Sequence, residues 1–359
     1  MIEAILRKEE FTKSDIIELL NAAGNDMQLI FAKAQEIKTK YVGNKVHLRG
    51  IIEYSNICSK NCYYCGIRRD NKEVDRYIVS NDEVIEAAKF AYINNYGSVV
   101  IQTGELQSEH NTAQIEYQLQ QIKKLSDGKL GVTLSCGEQS PETYQRWFEA
   151  GAHRYLLRIE TSDKELYKKL HPNDLLHSWE KRIECLNILK EIGYQVGTGV
   201  MIGLPFQTTE NLADDLLFMK KLDIDMCGMG PYIEHHATPL FKYKDDLLSL
   251  NERLDLSLKM LAILRIMMKD INIAATTALQ TITVKGREDA IRIASNVVMP
   301  NITPLMYRNN YKLYENKPGI NEDCEDSIKS ISRLVKNAGS EIGFSEWGDS
   351  LRFINRNKE

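Results

Sequence analysis

Residues 46–66 read VHLRGIIEYSNICSKNCYYCG and join a strand-like run, 46–54, to a loop with three cysteines. Seven further strand-like runs follow along the chain, at residues 98–103, 131–135, 154–158, 195–202, 226–229, 271–276 and 296–299. Helical stretches separate them, at about 81–95, 112–126, 141–150, 178–192, 209–222, 251–269 and 287–294. Such alternation predicts parallel βαβ units, and hence an α/β protein.

Eight βα units over about 250 residues close naturally into a (β/α)8 TIM barrel. An open, doubly wound sheet is the alternative fold. The active site of a barrel lies at the C-terminal ends of its strands, and the cysteine loop follows the first strand. The three cysteines therefore fall where this fold predicts chemistry.

Three regions are expected: an N-terminal helical cap at 1–45, the barrel at 46–300, and a barrel-closing C-terminal extension at 301–359. The apolar spacing within 1–45 fits helical faces, and Ser14 is a candidate N-cap. Trp347 and Phe353 are candidate anchors of the extension.

The bulk composition is that of an ordinary globular protein, with 359 residues and a formal net charge of −4. Nucleic-acid binding would call for a basic excess, which the chain lacks. No apolar run reaches the length of about 20 residues that crosses a bilayer. The N-terminus does not read as a signal peptide either, so a cytoplasmic location is expected.

The cysteine spacing in Cys58, Cys62 and Cys65 is C-x3-C-x2-C, and the other four cysteines are scattered. The odd total of seven argues against a disulfide framework. Three thiolates in one loop can bind one face of a [4Fe–4S] cubane and leave one iron without a protein ligand. Structural zinc is a weaker interpretation because it usually takes four ligands, in paired cysteines. Three merely buried thiols are the other alternative.

These residues resemble the radical S-adenosylmethionine (SAM) superfamily, defined by C-x3-C-x-aromatic-C, and within it the HydE family of [FeFe]-hydrogenase maturases. Biotin synthase and methylornithine synthase are similar at a greater distance. The resemblance covers nearly the whole chain and rests on residues 41–43, 46–49, 51–71, 151–158, 160–161, 199–205, 275–278, 286–288 and 296–301. It implies a [4Fe–4S] cluster whose open iron binds SAM, and a 5′-deoxyadenosyl radical formed by reductive cleavage of SAM.

The resemblance also implies roles for individual residues. Those expected to bind the cofactors are Tyr64, Thr103, Gly104, Glu105, Ser135, Arg158, Glu160, Arg182 and Met201, beside the three metal-binding cysteines. Those expected to contact substrate are Thr276, Thr277, Met299, Tyr307 and Arg308. Without the resemblance, the first set reads as turns, packing and a solvated helix face, and the second as barrel packing.

Two features depart from the family pattern. The maturases have histidine between the arginine and the glutamate of Arg158-Ile159-Glu160, and Ile159 either faces away from the barrel mouth or marks a different substrate. Some members bind an accessory cluster through three late cysteines, of which only Cys324 is present, so no second cluster is expected.

The remaining motifs carry weaker signals. Cys136, Cys185 and Cys227 are interpreted as small apolar core residues. Cys136 follows a strand, so a role in the site stays open for it. His235 and His236 form either a polar loop or a metal-binding pair.

The expected function is HydE-type maturation of the [FeFe]-hydrogenase active-site cofactor. The expected partners are a second radical SAM maturase, a scaffold GTPase, and an electron donor such as ferredoxin or flavodoxin. One alternative is a HydE-like enzyme that acts on an amino acid, a thiazolidine or a thioether. Another is a non-catalytic Fe–S or metal carrier.

Overall fold

A computed structural model describes residues 1–358, with the side chain of Glu325 excepted. Its strands are β1 (Lys45–Ser55), β2 (Ser98–Thr103), β3 (Gly131–Ser135), β4 (Arg154–Leu156), β5 (Gln195–Thr198), β6 (Met201–Ile202), β7 (Met226–Cys227), β8 (Gly230–Pro231), β9 (Asn272–Ile273), β10 (Val297–Val298) and β11 (Glu341–Gly343). Its α-helices are α1 (Ile2–Leu6), α2 (Lys13–Asn21), α3 (Gly24–Tyr41), α4 (Asn81–Ile93), α5 (Glu109–Leu125), α6 (Pro141–Glu149), α7 (Lys164–Leu170), α8 (Trp179–Ile192), α9 (Thr209–Leu222), α10 (Leu250–Met267), α11 (Thr277–Ile282), α12 (Gly286–Ile293), α13 (Leu305–Arg308), α14 (Cys324–Asn337) and α15 (Leu351–Arg356). Among these described helices, none has the length and apolar character needed to cross a lipid bilayer.

Eight parallel strands form a closed barrel. The hydrogen-bonded order is β10-β1-β2-β3-β4-β5-β7-β9. The ring closes between β9 and β10, where Asn296 N donates to Ile273 O at 3.0 Å and Ala275 N donates to Val297 O at 2.9 Å. The (β/α)8 barrel predicted from the alternation is therefore the observed fold, and the open sheet is excluded.

One of the predicted strands is interrupted near the barrel mouth. The predicted strand 195–202 is divided into β5 and β6, and β6 pairs with β8 in a separate two-stranded sheet. The break lies where two glycines meet, since a Cβ on Gly199 would come within 2.1 Å of Gly228 O. Close backbone approach of this kind requires glycine.

Side-chain caps set where most of the outer helices begin. Ser80, Ser108, Ser140, Ser178, Thr208 and Ser249 each accept a hydrogen bond from a backbone N–H in the first turn of α4, α5, α6, α8, α9 and α10. Such caps satisfy N–H groups that have no partner within the helix. The predicted N-cap of α2 was wrong. Thr12, two residues before Ser14, is the N-cap, and it forms a capping box with Asp15.

The C-terminal segment covers the end of the barrel opposite the cysteine loop. β11 pairs in parallel with the start of β1, and Arg49, Arg154 and Asn272 donate from three barrel strands to the carbonyl oxygens of residues 347–348. The fully buried Arg154, at the start of β4, forms an ion pair of 2.6 Å with Asp349. Trp347 packs on His153, with 4.4 Å between the ring centroids. At the other end of the chain, α2 and α3 pack against the outer helices α9, α10 and α12.

Candidate active site

The cysteine loop leaves the C-terminal end of β1 and is tied down through its own backbone. The guanidinium of Arg76 donates to five carbonyl oxygens, those of Asn56, Ile67, Arg68, Arg69 and Asn71. A planar fork of N–H donors suits such a multiple contact better than a lysine would. Sequence reasoning missed Arg76, because nothing in its neighbourhood distinguishes it from a surface arginine.

The three thiols face one cavity and fit a metal cluster. Burial raises the pKa of each, and the neighbouring thiols add to the effect for Cys62 and for Cys65, whose pKa rises to about 12. Thiols of this kind become thiolates when a metal binds them. A single zinc ion, with Zn–S bonds of about 2.3 Å, would draw its sulphur ligands to about 4 Å from one another. A structural zinc ion usually takes a fourth protein ligand as well, whereas three thiols of one loop that open into one cavity suit an Fe–S cluster with one iron free of a protein ligand.

The predicted motif Thr103-Gly104-Glu105 lies directly against the cysteine loop, at the end of β2. Glu105 N lies 3.3 Å from Cys58 Sγ and donates to it. A Cβ on Gly104 would come within 2.4 Å of Ile57 O, so only glycine allows this approach. Cys58 and Glu105 are thereby held beside each other.

Four charged side chains form a buried network under the loop. Lys60 Nζ lies 3.0 Å from a Glu105 oxygen and 2.8 Å from a Glu138 oxygen. Arg182 Nε lies 2.6 Å from Glu138, and Arg182 Nη2 lies 3.4 Å from Glu105. The Nε–H does not point along its 2.6 Å contact, so that contact is an ion pair and not a hydrogen bond. Burial opposes ionisation of Glu138, but Arg182 and Lys60 outweigh it and lower the pKa of Glu138.

A cavity of about 360 Å³ extends from the cysteines into the barrel. Sixteen of the seventeen residues predicted for the site line it: Cys58, Cys62, Tyr64, Cys65, Thr103, Gly104, Glu105, Ser135, Arg158, Glu160, Arg182, Met201, Thr276, Thr277, Met299 and Arg308. The exception is Tyr307, which lies outside the cavity, stacked on Tyr77, with its hydroxyl 3.0 Å from a Glu83 oxygen. Tyr311, four residues later and beyond the end of α13, lines the cavity.

Arg158 and Glu160 both face the cavity, whereas Ile159 between them faces the core. Arg158 Nη2 lies 3.1 Å from a Glu160 oxygen. Ile159 is fully buried in the hydrophobic layer, away from the cavity lining. The departure from the family pattern at this position therefore lies outside the cavity.

The inner part of the cavity holds charged residues that sequence reasoning did not select. Lys317 and Glu53 form a buried ion pair there, and Thr277 Oγ1 lies 2.8 Å from the hydroxyl of Tyr314. Arg287 is buried, and its Nε and Nη2 have no hydrogen-bond partner in the part of the chain that the structure describes. A buried guanidinium with free N–H groups is suited to an anionic or carboxylate-bearing ligand.

The other cysteines lie apart from the three thiols of the loop. Cys136, Cys185 and Cys227 are buried in the hydrophobic core, as expected for small apolar residues. Cys324 begins α14 and accepts from Arg308 Nη2 at 3.4 Å. Arg308 also donates to three backbone carbonyls, those of Thr303, Gly319 and Glu322, so it holds the C-terminal segment in place as well as lining the cavity.

Comparison with known proteins agrees with this geometry. Residues 52–219 match the model of the radical SAM superfamily. The chain is 43% identical over 348 residues to the [FeFe] hydrogenase maturase subunit HydE of Thermotoga maritima, and the aligned region covers 97% of this chain and 96% of that protein. It is 27% identical to the 3-methylornithine synthase of Methanosarcina acetivorans, over 93% of this chain and 90% of that one. In fold it is similar to a crystal structure of methylornithine synthase (PylB), with a TM-score of 0.79, 23% identity, and coverage of 96% of this chain and 97% of that chain.

Proposed function

The chain belongs to the HydE family of the radical SAM superfamily, and on that premise we propose that it matures the active-site cofactor of an [FeFe]-hydrogenase. The observation that carries the proposal is one continuous cavity, which joins the three cysteines to an inner chamber. The extent of the similarity to the Thermotoga maritima protein, nearly end to end, supports the same activity.

The outer part of the cavity is proposed to bind a [4Fe–4S] cluster and SAM. Cys58, Cys62 and Cys65 would ligate three irons. When bound, the reduced cluster would supply the electron that cleaves SAM to methionine and a 5′-deoxyadenosyl radical. Glu105 and Arg182 carry the charges that suit the ammonium and the carboxylate of SAM.

The remaining cofactor contacts are proposed along the same wall. Glu160 would bind the ribose hydroxyls, and Met201 would lie near the adenine. Tyr64 is held in place by a 3.2 Å contact between its hydroxyl and His171 Nε2, a position that supports its covering the cluster or the adenine. Thr103, Gly104, Ser135 and Arg158 complete the lining on this side.

The inner chamber is proposed to hold the substrate, a small cysteine-bound iron carbonyl and cyanide species. Arg287 offers unpaired N–H groups there, and Thr276, Thr277 and Met299 line the same wall. A partner radical SAM maturase would deliver the substrate, and the product would pass to a scaffold GTPase. A ferredoxin or flavodoxin would supply electrons, in the reducing cytoplasm.

The alternative of a HydE-like enzyme with another small-molecule substrate depends on Ile159, and Ile159 does not reach the cavity. No second function therefore gains support from it. The non-catalytic carrier is likewise disfavoured, because a carrier has no need of the inner chamber.

The test is a maturation assay in a heterologous system that contains the partner maturases and a hydrogenase but no other HydE. Anaerobically reconstituted protein is expected to restore hydrogen evolution, and the Cys62→Ala variant is expected to give none. SAM cleavage without hydrogenase activation would refute maturation and leave an enzyme with another substrate.

A further inference from the structure

A second group of potential metal ligands lies outside the cavity, on the rim of the barrel. His235 and His236 follow β8, and Glu315 lies in the segment that follows α13. One ligand atom from each of the three falls within 4.8 Å of the others, and no other set of three is found among the described residues. The pair of histidines was singled out in the sequence, and the proposed function does not use it.

The side chains around His236 are arranged as around a bound cation. His236 Nδ1 contacts Glu315, and His236 Nε2 lies 2.7 Å from an oxygen of Glu73, a residue of the cysteine loop. Two carboxylates thus converge on one imidazole, and a protonated His236 would neutralise only one of them. A carboxylate on the far nitrogen of a histidine is one of the ways in which proteins orient a metal-binding imidazole, beside a backbone carbonyl or a water.

His235 completes the set from a fixed position. It is buried, with its ring stacked on His236 at 4.8 Å between centroids and its Nδ1 3.9 Å from a Glu315 oxygen. A Cβ on Gly66 would come within 2.5 Å of this ring, so the ring is packed against the residue that follows Cys65. Its Nδ1 accepts from Ala237 N at 3.2 Å, a long contact that a metal bond would replace.

We propose that His235, His236 and Glu315 bind one divalent transition-metal ion, and that Glu73 orients His236. Two imidazoles and a carboxylate suit Zn²⁺ and its neighbours in the first transition row, with water in the fourth position. The ion would brace three segments against one another: the cysteine loop, the loop after β8, and the segment that supplies Tyr311 and Lys317 to the cavity. The site does not depend on the proposed function.

The experiment is anaerobic calorimetric titration of Zn²⁺ into the reconstituted holoenzyme, with zinc and iron content measured after gel filtration. Unchanged iron shows that zinc has not entered the cysteine site. The wild type is expected to retain one zinc per chain. His236→Ala and Glu315→Gln are each expected to weaken binding at least tenfold, and Glu73→Gln to weaken it by about tenfold to a hundredfold through loss of orientation.

The matched control is His110→Ala, an exposed histidine at the start of α5, which should leave zinc binding unchanged. His236 is exposed, so its removal should not unfold the protein, and Glu73→Gln keeps the shape of the side chain. Zinc binding to the wild type no tighter than to a His236→Ala/Glu315→Gln double variant would overturn the proposal. The contacts of His236 with Glu73 and Glu315 would then be only ion pairs of a protonated imidazole.

Discussion

Glu138→Gln tests whether the buried network under the cysteine loop prepares the site for SAM. The network contains two cations, Lys60 and Arg182, and two anions, Glu105 and Glu138, each with a side chain at most 11% exposed. Glutamine removes one negative charge and leaves a buried positive charge in excess. Breaking a buried ion pair on one side costs about 3 kcal/mol or more, so the free energy of unfolding is expected to fall by at least that amount.

The same variant should also weaken SAM binding. Without Glu138, Arg182 is left to pair with Glu105, and these are the two groups proposed to bind the carboxylate and the ammonium of SAM. Loss of one charge-assisted contact amounts to about 1.5–3 kcal/mol, which corresponds to a rise of at least roughly tenfold in the dissociation constant. Equilibrium dialysis of radiolabelled SAM against reconstituted protein measures this directly.

Glu142→Gln is the matched control, because Glu142 is an exposed acid in the first turn of the nearby helix α6. Glu138→Asp keeps the charge and should recover part of the affinity. A Glu138→Gln protein with full cluster content and wild-type affinity for SAM would refute the reasoning. A lower free energy of unfolding with an unchanged affinity for SAM would show that Glu138 contributes to folding and not to SAM binding.

Three further variants test other parts of the molecule. Asp349→Asn removes the partner of Arg154 and should cost about 3 kcal/mol of unfolding free energy at pH 7, measured by denaturant titration. Burial raises the pKa of Asp349, but its contacts with His153 and with the charged Arg154 outweigh burial and lower that pKa. The difference in unfolding free energy from wild type should therefore be full above about pH 4 and shrink as the pH falls further; a difference that grows in acid would contradict this. Ile159→His places a polar ring in the core and should lower the free energy of unfolding by about 2 kcal/mol without altering the products of SAM cleavage. A changed substrate range would show that residue 159 influences the site. Tyr307→Phe loses only a contact with Glu83, so hydrogenase maturation should persist with a stability loss of about 1 kcal/mol, and a loss of maturation would show that Tyr307 reaches the substrate after all.

The sequence was most informative where local pattern and global fold agree. All eight barrel strands lie at their predicted positions, because buried parallel strands read as short apolar runs bounded by turns. The helices α7 and α11 were missed: they have only 7 and 6 residues, too few for a helical period to stand out. Ser14 was wrong as an N-cap: Thr12 can cap a helix equally well, and its capping box with Asp15 makes α2 begin at Lys13.

The sequence predicted those site residues that belong to recognisable motifs. The predicted residues that match family motifs at strand ends line the cavity, whereas Tyr307, on a short helix late in the chain, lies outside it. Glu138 and Lys317 could not be selected, because each is important only through partners distant in the sequence: Glu138 through Lys60 and Arg182, and Lys317 through Glu53. Burial of a charge is a tertiary property, and no spacing rule reports it.

The central claim is that three cysteines leave one iron of the cluster open to SAM. The most direct test is to reduce the anaerobically reconstituted protein in the presence of SAM and to quantify 5′-deoxyadenosine and methionine. We predict that both products form in equal amounts, and that Cys62→Ala yields neither while its barrel stays folded. A fully loaded and reduced protein that releases no 5′-deoxyadenosine would contradict the account.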